Sequence, residues 1–300
     1  MKVYHSFTKH SLSRFCLSVL MVLSFISINA QEGSETKPAI RPVPNTFESV
    51  WLIDNQTVMV PFKKTLEMDM LHRFGTIKNG YDDFWGLYAP TNIRIGFSYV
   101  PIDDLQVGFG FTKERLLWDF SAKYALIKQG RGGGSPLSIT YLVNMGIDTR
   151  DGQFHDEFSD RVSYFHQIMV ARKLSDAFSL QSSFSVSHFN DQDLAFADNG
   201  ELIGRMPADH FALNFLGRYV IMDGTNFIFN VDLPLTDSDL FGPEPNLGFG
   251  VEFTSSSHAF QIFLSNYQSL IPQYNNARNI NDAGNGEFVI GFNITRLWNY

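Results

Sequence analysis

Apolar and polar residues alternate along most of this chain, and this period-two pattern limits the possible folds more than any other feature. In 91–100, for example, Ile93 and Ile95 fall on one side and Arg94 and Ser98 on the other. Strict alternation predicts β-strands with one apolar and one polar face. Twelve segments follow the pattern: 65–74, 91–100, 104–113, 116–128, 137–147, 161–174, 177–189, 209–222, 225–235, 246–255, 257–266 and 286–299. The sequence therefore predicts an all-β architecture of about 12 strands.

The connections between these segments indicate which β architecture they form. Short links join strands 2–3, 6–7, 8–9 and 10–11, whereas links of about 11 to 20 residues join strands 1–2, 5–6, 7–8, 9–10 and 11–12. Outer-membrane barrels have tight periplasmic turns and long external loops. Two links depart from this rule, because 113–115 is short where a long loop is expected and 129–136 is of medium length where a turn is expected. We predict a transmembrane antiparallel up-and-down β-barrel with periplasmic N- and C-termini.

A large soluble β-sandwich or lipocalin-like barrel is the alternative, since its strands also alternate. Two features weigh against it. The polar parity is rich in Gly and Ser and poor in the Lys and Glu that a soluble surface carries. Aromatic residues also gather near strand ends, as in the girdles of membrane proteins. The predicted girdle residues are Trp118, Tyr124, Trp298 and Tyr300.

Residues 1–30 have the features of a secretory signal peptide. A basic region leads into an apolar stretch of about 14 residues, shorter than the roughly 20 residues of a membrane-spanning helix. Cleavage is expected after Ala30, and an uncleaved anchor is the alternative. Cys16 is the only cysteine and lies in this segment. A mature chain without cysteine has no disulfide and no thiolate metal site.

Three further parts follow the signal peptide. Residues 31–46 are a polar, proline-rich and flexible lead-in. Residues 47–62 are apolar but irregular, and this pre-barrel segment is a candidate plug or periplasmic gate. Residues 63–300 form the predicted outer-membrane barrel, to which the export signal would direct the chain.

The charge of the chain excludes one class of partner. Lys and Arg number 23 against 31 Asp and Glu, for a net charge of −8. Removal of residues 1–30 takes away three basic residues and no acidic ones, which leaves −11. Nucleic-acid-binding surfaces are basic, so no nucleic-acid partner is expected. Past the signal peptide no stretch reaches 18 apolar residues, so any membrane contact must be made by strands.

Charged residues on the polar parity are predicted to line the lumen. They are Glu67, Asp69, Arg73, Arg94, Lys123, Arg218, Asp232 and Glu252. A charge on the lipid-facing side costs about 2–4 kcal/mol near mid-membrane, which favours the inward orientation. Both signs occur, which suits either salt bridges that close the lumen or a ring that selects solutes. The leading hypothesis is a channel or transporter for small polar or charged solutes; a non-conducting structural or docking barrel and a lipid-acting outer-membrane enzyme are the alternatives.

The sequence contains no convincing catalytic constellation, and no enzyme activity and no cofactor are predicted. His72, His166, His188 and His258 share the parity of the lipid-facing residues, and no G-x-S-x-G motif occurs after the signal peptide. Ser187 precedes His188, but neighbours in a strand point to opposite faces. Histidines at the membrane interface or in polar hairpin mouths are the simpler interpretation.

One long loop carries the oxygen ligands that Ca²⁺ prefers. Its acidic residues are Asp148, Asp151, Asp156, Glu157 and Asp160. The ligand order of an EF-hand is absent, so a solvated acidic loop is favoured and no metal site is predicted.

Several short motifs resemble one protein family. They are "HRFG" (72–75), "NIRIGFSY" with "DDLQVGFG" (within 92–110), "ARKLSDAFSLQ" (171–181), "GFGVEFTSSSHAFQIFLSN" (248–266) and "FVIGFNITRLW" (288–298). They resemble a family of outer-membrane β-barrel proteins, found chiefly in Bacteroidota, that is catalogued as domain of unknown function 5777. The resemblance spans most of 47–300. It implies an outer-membrane barrel and supplies neither a reaction nor functional residues.

The closing segment "FVIGFNITRLWNY" predicts a last strand that pairs with the first, because an open edge cannot remain in lipid. A terminal aromatic strand is also a signal that barrel-assembly machinery recognises in the families this chain resembles. That machinery and outer-membrane lipids are the expected partners. Arg296 shares the lipid-facing parity and is expected near the periplasmic interface, where its side chain can reach water.

Overall fold

A computed structural model describes residues 41–44, 46–150, 155, 157–236, 238 and 240–300. The predicted signal peptide and residues 31–40 and 45 of the lead-in lie outside the described residues. Among the described residues, no helix is long and apolar enough to cross a membrane.

Twelve antiparallel strands form a closed barrel, as the sequence predicts. They are β1 (Thr65–Thr76), β2 (Asn92–Ile102), β3 (Leu105–Thr112), β4 (Leu117–Ile127), β5 (Ser138–Ile147), β6 (Val162–Lys173), β7 (Phe178–Phe189), β8 (Asp209–Met222), β9 (Thr225–Pro234), β10 (Asn246–Thr254), β11 (His258–Ser265) and β12 (Val289–Asn299). Each strand pairs with its neighbours in sequence, and β12 pairs with β1. The last strand therefore closes the wall.

Alternation along the strands separates two environments. On β1 the burial pattern alternates between fully and partly buried residues along all 12 residues. On β7 the exposed side carries Leu180 and Phe184, while Ser183 and Ser185 on the other side are buried. The apolar parity thus faces outward, and the small or polar parity faces the interior of the barrel.

The two ends of the barrel differ in the length of their connections. The end with short links, such as 103–104, 223–224 and 255–257, is called the turn end, and it also holds the C-terminus of β12. The opposite end, with links such as 77–91 and 266–288, is called the loop end.

The medium-length link at the turn end has a structural reason. Gly130–Arg131 within it forms a two-residue antiparallel pairing with Arg41–Pro42 of the lead-in. The main-chain N–H of Val43 also donates to the carbonyl of Gln129 at 2.7 Å. The longer link thus pairs with the segment that precedes the barrel.

Residues 46–60 lie inside the barrel, where each is buried or half-buried, and are called the plug. Within the plug, Trp51–Leu52 pairs with Asn55–Gln56 in a small hairpin. The expected pre-barrel segment extended to residue 62, but the side chain of Phe62 is 83% exposed. The plug therefore ends before β1 begins.

A helix enters the barrel from the loop end. The helix α1 (Pro272–Arg278) lies in the long connection between β11 and β12, and Pro272 stands at its start, where a missing N–H costs nothing. All of its residues except the last are buried. Among the described residues, the remaining short elements are the pairing of Leu194–Phe196 with Leu202–Arg205 and the 3₁₀ turns Ile77–Asp83, Glu114–Leu116, Ser159–Arg161 and Ala283–Asn285.

Candidate functional site

The candidate site is the occluded lumen, and one side of it is a buried ion cluster on β1–β4. The guanidinium of Arg94 donates to Asp69 on β1 at 2.5 Å and to both oxygens of Asp119 on β4 at 2.8 and 2.9 Å. All three residues are buried. Bidentate pairing of arginine with a carboxylate is strong and geometrically specific. These ion pairs connect three strands of the wall to one another.

Glu67 and Lys123 are two further charged residues of this β1–β4 wall, and both are buried. The side-chain amide of Gln106 donates to Glu67 at 3.3 Å and to the hydroxyl of Ser98 at 2.6 Å. The ammonium of Lys123 donates to the main-chain carbonyl of Thr57 in the plug at 3.4 Å. Glu67 is thus held by its own wall, whereas Lys123 reaches the plug.

On the opposite side, β5–β12, Asp232 is stabilised by amides. Its carboxylate accepts hydrogen bonds from the side chains of Asn55, Asn214, Asn230 and Asn246 at 2.9, 2.9, 3.2 and 3.1 Å. A buried carboxylate requires several donors, because it has lost its hydration. One of the four, Asn55, belongs to the plug, so the plug completes the surroundings of this charge.

Glu252 and Arg218 also meet plug residues. Glu252 accepts from the hydroxyl of Ser49 in the plug at 2.5 Å and from the amides of Asn226 and Gln261 at 3.0 and 2.9 Å. Arg218 forms an ion pair with Glu48 of the plug. All three charged residues on the β5–β12 wall that were predicted to line the lumen therefore contact the plug.

The hairpin turn of the plug is strained and is held by wall side chains. Ile53 has φ 58°, a left-handed conformation that β-branched residues rarely adopt. Its N–H donates to Gln261 at 3.0 Å, and its carbonyl accepts from Arg73 at 3.1 Å and from Asn293 at 2.6 Å. Such a conformation persists when the surroundings determine it. Arg73 also approaches Asp54 at 3.9 Å.

Further amide and hydroxyl groups of the wall satisfy the main chain of the plug. The N–H of Val58 donates to the side-chain oxygen of Gln181 at 2.8 Å, and the amide of Gln181 donates to the carbonyl of Gln56 at 3.0 Å. Thr140 donates its hydroxyl to the carbonyl of Val58 at 2.9 Å. Buried main-chain groups need such partners, and here the barrel supplies them.

An apolar core also lies inside the barrel. It combines the plug residues Phe47, Leu52, Ile53 and Val58 with the inward-facing wall residues Leu142, Phe165, Met169, Ala171, Leu216, Ile228 and Phe263. Tyr267, in the connection between β11 and β12, also belongs to it. Burial of a large apolar side chain stabilises by about 1.5–3 kcal/mol. The plug is therefore held by apolar packing as well as by hydrogen bonds.

The helix α1 meets the plug from the loop end. The amide of Asn275 donates to Asp54 in the plug at 2.5 Å. Gln273 donates to Asn144 on β5 at 2.9 Å, and Asn276 donates to Ser185 on β7 at 3.2 Å. The plug and α1 thus occlude the lumen together, and Asp54 joins them.

A cavity of about 890 Å³ remains at the turn end, beside the plug. Its lining combines plug residues such as Ser49 and Met59 with wall residues such as Asn226 and Thr295. A volume of this size accommodates a small molecule. The cavity forms a vestibule that ends at the plug.

All eight residues predicted to line the lumen are buried in the structure. The structure pairs Asp69 with Arg94 and holds Glu67 by Gln106 of the same wall. The other five, Arg73, Lys123, Arg218, Asp232 and Glu252, lie against the plug. Sequence reasoning missed Asp119, although it shares the parity of Lys123 four residues later. It also missed the inward apolar residues. Their signal was present, because Leu216, for example, interrupts a polar parity between Asn214 and Arg218.

The predicted girdle residues lie on the outer surface or at the end of the chain. Trp118, Tyr124 and Tyr300 are exposed, and Trp298 is half-buried. The guanidinium carbon of Arg296 lies 4.7 Å from the centre of the Trp298 ring. Arg296 pairs across from the first residue of β11 and is therefore close to the turn end, where its side chain can reach water.

The candidate calcium loop is only partly described, because Asp151 and Asp156 lie outside the described residues. Asp148 binds the guanidinium of Arg150 at 2.6 Å. Burial alone would raise the pKa of Asp148, but its hydrogen bonds with Arg150 outweigh this and hold that pKa below its usual value. The main-chain N–H of Glu157 donates to the carboxylate of Asp160 at 3.0 Å. In the part of the chain that the structure describes, no cluster of three or more metal-ligating side chains occurs.

The four outward histidines have the following neighbours: His72 stacks on Phe292 at 4.8 Å, His166 contacts the hydroxyl of Tyr141 at 2.9 Å, His188 contacts Asp209 at 2.7 Å, and His258 contacts Ser257 at 3.0 Å. The Ser257–His258 pair is exposed and lies where the turn after β10 meets the first residue of β11. Adjacent residues of one turn do not by themselves provide the oriented base of a nucleophilic site.

Comparison with known proteins relates this barrel to others. No curated protein matches the chain at a significant level. An outer membrane channel from Pseudomonas putida F1 has a TM-score of 0.51 and 10% identity, with 80% of this chain and 97% of that chain covered. The NanC porin has a TM-score of 0.49 and 8% identity, with 78% of this chain and 99% of the porin chain covered. The KdgM porin has a TM-score of 0.44 and 9% identity, with 77% of this chain and 98% of the porin chain covered.

At such identities the likeness concerns the fold alone. A family profile described as a membrane-bound β-barrel domain matches residues 47–298, which include the plug and nearly all of the barrel. This description supports the outer-membrane location that the sequence predicts. The chain belongs to the membrane-bound β-barrel domain family DUF5777.

Proposed function

We propose that this protein is an outer-membrane channel for small polar or charged solutes, closed by the plug in the state described. The observation that carries the proposal is the way the plug is held. Wall side chains such as Gln181, Gln261 and Asn293 satisfy its main chain inside a closed barrel. Amide side chains can exchange these partners for water or for a passing solute, so the wall remains satisfied when the plug leaves.

The lumen chemistry supports the solute class. Withdrawal of the plug would expose inward charges of both signs, from Arg94 and Lys123 to Asp232 and Glu252. Charged and amide side chains that line a pore favour hydrated polar solutes. The vestibule of about 890 Å³ would be the first compartment on the turn-end side.

A reversible lock tests the proposal. A Cβ atom added at Gly248 on β10 would lie 3.1 Å from the Cγ2 methyl of Ile53 in the plug, a position that the sulfur of a cysteine at residue 53 can take, so two cysteines here are close enough to be bridged. We expect the variant with Ile53→Cys and Gly248→Cys to show no current in planar bilayers when oxidised and to regain openings when reduced. Each single cysteine variant is the matched control and should not respond to reductant.

Deletion of residues 46–60 tests the same proposal from the other side. We expect a steady conductance more than tenfold above that of the wild type, once heat-modifiable migration on a gel has shown that the barrel folds. Because α1 also occludes the lumen, a folded barrel that lacks both the plug and α1 and carries no current would refute the channel.

A non-conducting structural barrel is the second candidate. The apolar core around Phe47, Leu52 and Phe165 favours it, because a permanent plug would be packed in this way. This candidate predicts that neither reduction of the lock nor deletion of the plug produces current.

A further inference from the structure

An aromatic cluster projects from the loop end between β1 and β2. It consists of Tyr81, Phe84, Trp85 and Tyr88 and is called the aromatic platform. Tyr81 and Tyr88 are 79% and 81% exposed, and Phe84 and Trp85 are also exposed. Exposed aromatic residues gathered in one place mark interaction sites more often than isolated ones do.

The four rings form one continuous cluster. The centroid of Trp85 lies 5.4 Å from that of Phe84 and 6.1 Å from that of Tyr81, in edge-to-face contacts. Phe84 and Tyr88 are stacked at 5.5 Å. These contacts fix the rings relative to one another.

The backbone under the platform is strained and firmly attached. Phe84 and Trp85 both have φ 54°, a left-handed conformation that bulky residues rarely adopt. The N–H of Trp85 donates to the carbonyl of Gly80 at 2.6 Å. A Cβ at Gly86 would lie 2.2 Å from the carbonyl oxygen of Gly75 on β1, so the loop packs directly on the barrel wall. Strain of this kind persists where the surroundings hold it and is concentrated at functional sites.

The charges around the platform disfavour anionic ligands. Asp82 is exposed beside the rings, and Asp83 follows it. The nearby cation, Lys78, is engaged by Glu287 at 2.6 Å. The surface is therefore acidic, and an acidic surface repels phosphate or carboxylate groups. Neutral ligands with hydroxyl groups that donate to carboxylates are favoured.

We propose that the aromatic platform binds neutral glycans. The C–H faces of a sugar ring are apolar and pack on aromatic faces, whereas its hydroxyls reach polar groups at the rim such as Asp82 and the phenols of Tyr81 and Tyr88. The platform belongs to a loop outside the lumen, so this activity is independent of the channel.

Isothermal titration calorimetry on the full-length protein in phosphatidylcholine nanodiscs tests the proposal with maltoheptaose, cellohexaose and laminarihexaose, and with hexagalacturonate as the acidic comparison. We expect at least one neutral oligosaccharide to bind, and hexagalacturonate to bind at least tenfold more weakly. Trp85→Ala and Tyr88→Ala should each weaken binding at least tenfold. Phe158→Ala, which removes another exposed aromatic ring in a loop, should leave the affinity unchanged.

Gly86→Ala provides a variant in which all four rings are retained. It should also weaken binding, because the added methyl group displaces the loop from Gly75. Heat-modifiable migration verifies that each variant folds. Absence of binding for all three neutral oligosaccharides, tighter binding of hexagalacturonate, or unchanged affinity in both Trp85→Ala and Tyr88→Ala would overturn the proposal. Unchanged sugar binding together with lower thermal stability of Tyr88→Ala in nanodiscs but not in detergent would instead make the platform a membrane anchor.

Discussion

The buried charged residues on the two sides of the lumen have different kinds of partners. On the β1–β4 wall, Arg94 is paired with Asp69 and Asp119, so the ion pairs join wall to wall. On the β5–β12 wall, charged residues have partners in the plug, and Arg218, for example, forms an ion pair with Glu48. The first arrangement joins strands of the barrel to one another, although Arg94 also lies over the ring of Trp51 in the plug, 5.3 Å from its centroid. The second depends on the plug, and on the β1–β4 wall Arg73 and Lys123 also reach it. Because all three predicted charges of the β5–β12 wall contact the plug, we expect gating to depend mainly on that wall.

The largest effect is expected from Arg94→Met. It leaves two buried carboxylates without their cation, and breaking a buried ion pair costs about 3–5 kcal/mol. The midpoint of urea unfolding of the barrel should fall, without more frequent openings in planar bilayers. A variant with Asp69→Asn, Arg94→Met and Asp119→Asn should recover most of the loss. Arg205→Met on an exposed loop is the control, and openings induced by Arg94→Met would break the comparison.

Phe165→Ala on β6 should have the next largest effect, and this effect should be on the opening of the channel. Its ring is fully buried in the core that contains the plug, and truncation of a buried Phe costs about 3 kcal/mol. Because each 1.4 kcal/mol is a factor of ten, the ratio of open to closed time should rise roughly a hundredfold in single-channel recordings. Phe184→Ala, on the outer face of β7, should leave this ratio unchanged.

Gln181→Leu and Gln106→Leu compare the two walls with the same substitution. Gln181→Leu removes the partners of Val58 and Gln56 in the plug, and an unpaired buried main-chain group costs about 1–3 kcal/mol. It should therefore increase openings by about tenfold. Gln106→Leu affects Glu67 and Ser98 of the wall and should lower barrel stability without openings. The reverse pattern would show that the β1–β4 wall holds the plug.

The smallest effect is expected outside both walls, at the ion pair of Lys78 and Glu287. The hydrogen bond from Lys78, followed by one from the main-chain N–H of Asp282, lowers the pKa of Glu287 below its usual value. Because the pKa of this acid is lowered, the ion pair stabilises the folded state fully above the unfolded-state pKa of about 4.3. That stabilisation is lost as the pH falls through the folded-state pKa. The melting temperature of Glu287→Gln should therefore lie slightly below that of the wild type at pH 7, and the difference should disappear as the pH falls below the folded-state pKa. A constant difference across this range would contradict the assignment.

The strands could be predicted to within a few residues because each one lies between two different environments. The predicted 209–222 coincides with β8, and the predicted 286–299 differs from β12 only at its start. In a period-two pattern, the polarity of each residue indicates whether its side chain faces the outside or the interior of the barrel. The same alternation is sufficient to place Arg94 and Asp232 on the inward parity.

The contents of the lumen could not be predicted in the same way. The plug lacks alternation, since nearly all of its residues are buried whatever their polarity. The entry of α1 into the barrel depends on Asn275 reaching Asp54, residues 221 positions apart in the chain. The left-handed Ile53 is likewise held by Arg73 and Asn293, which come from opposite ends of the barrel sequence.

The sequence by itself determined a twelve-stranded membrane barrel, its outward apolar face and the charges on its inward face. It did so because alternation is a local consequence of having lipid on one side of a strand and a polar interior on the other. Only the tertiary structure decided that Arg94 joins wall to wall, that Gln181 and Gln261 hold the plug, and that the lumen is occluded from both ends. Those outcomes depend on contacts between distant segments that meet only when the barrel closes.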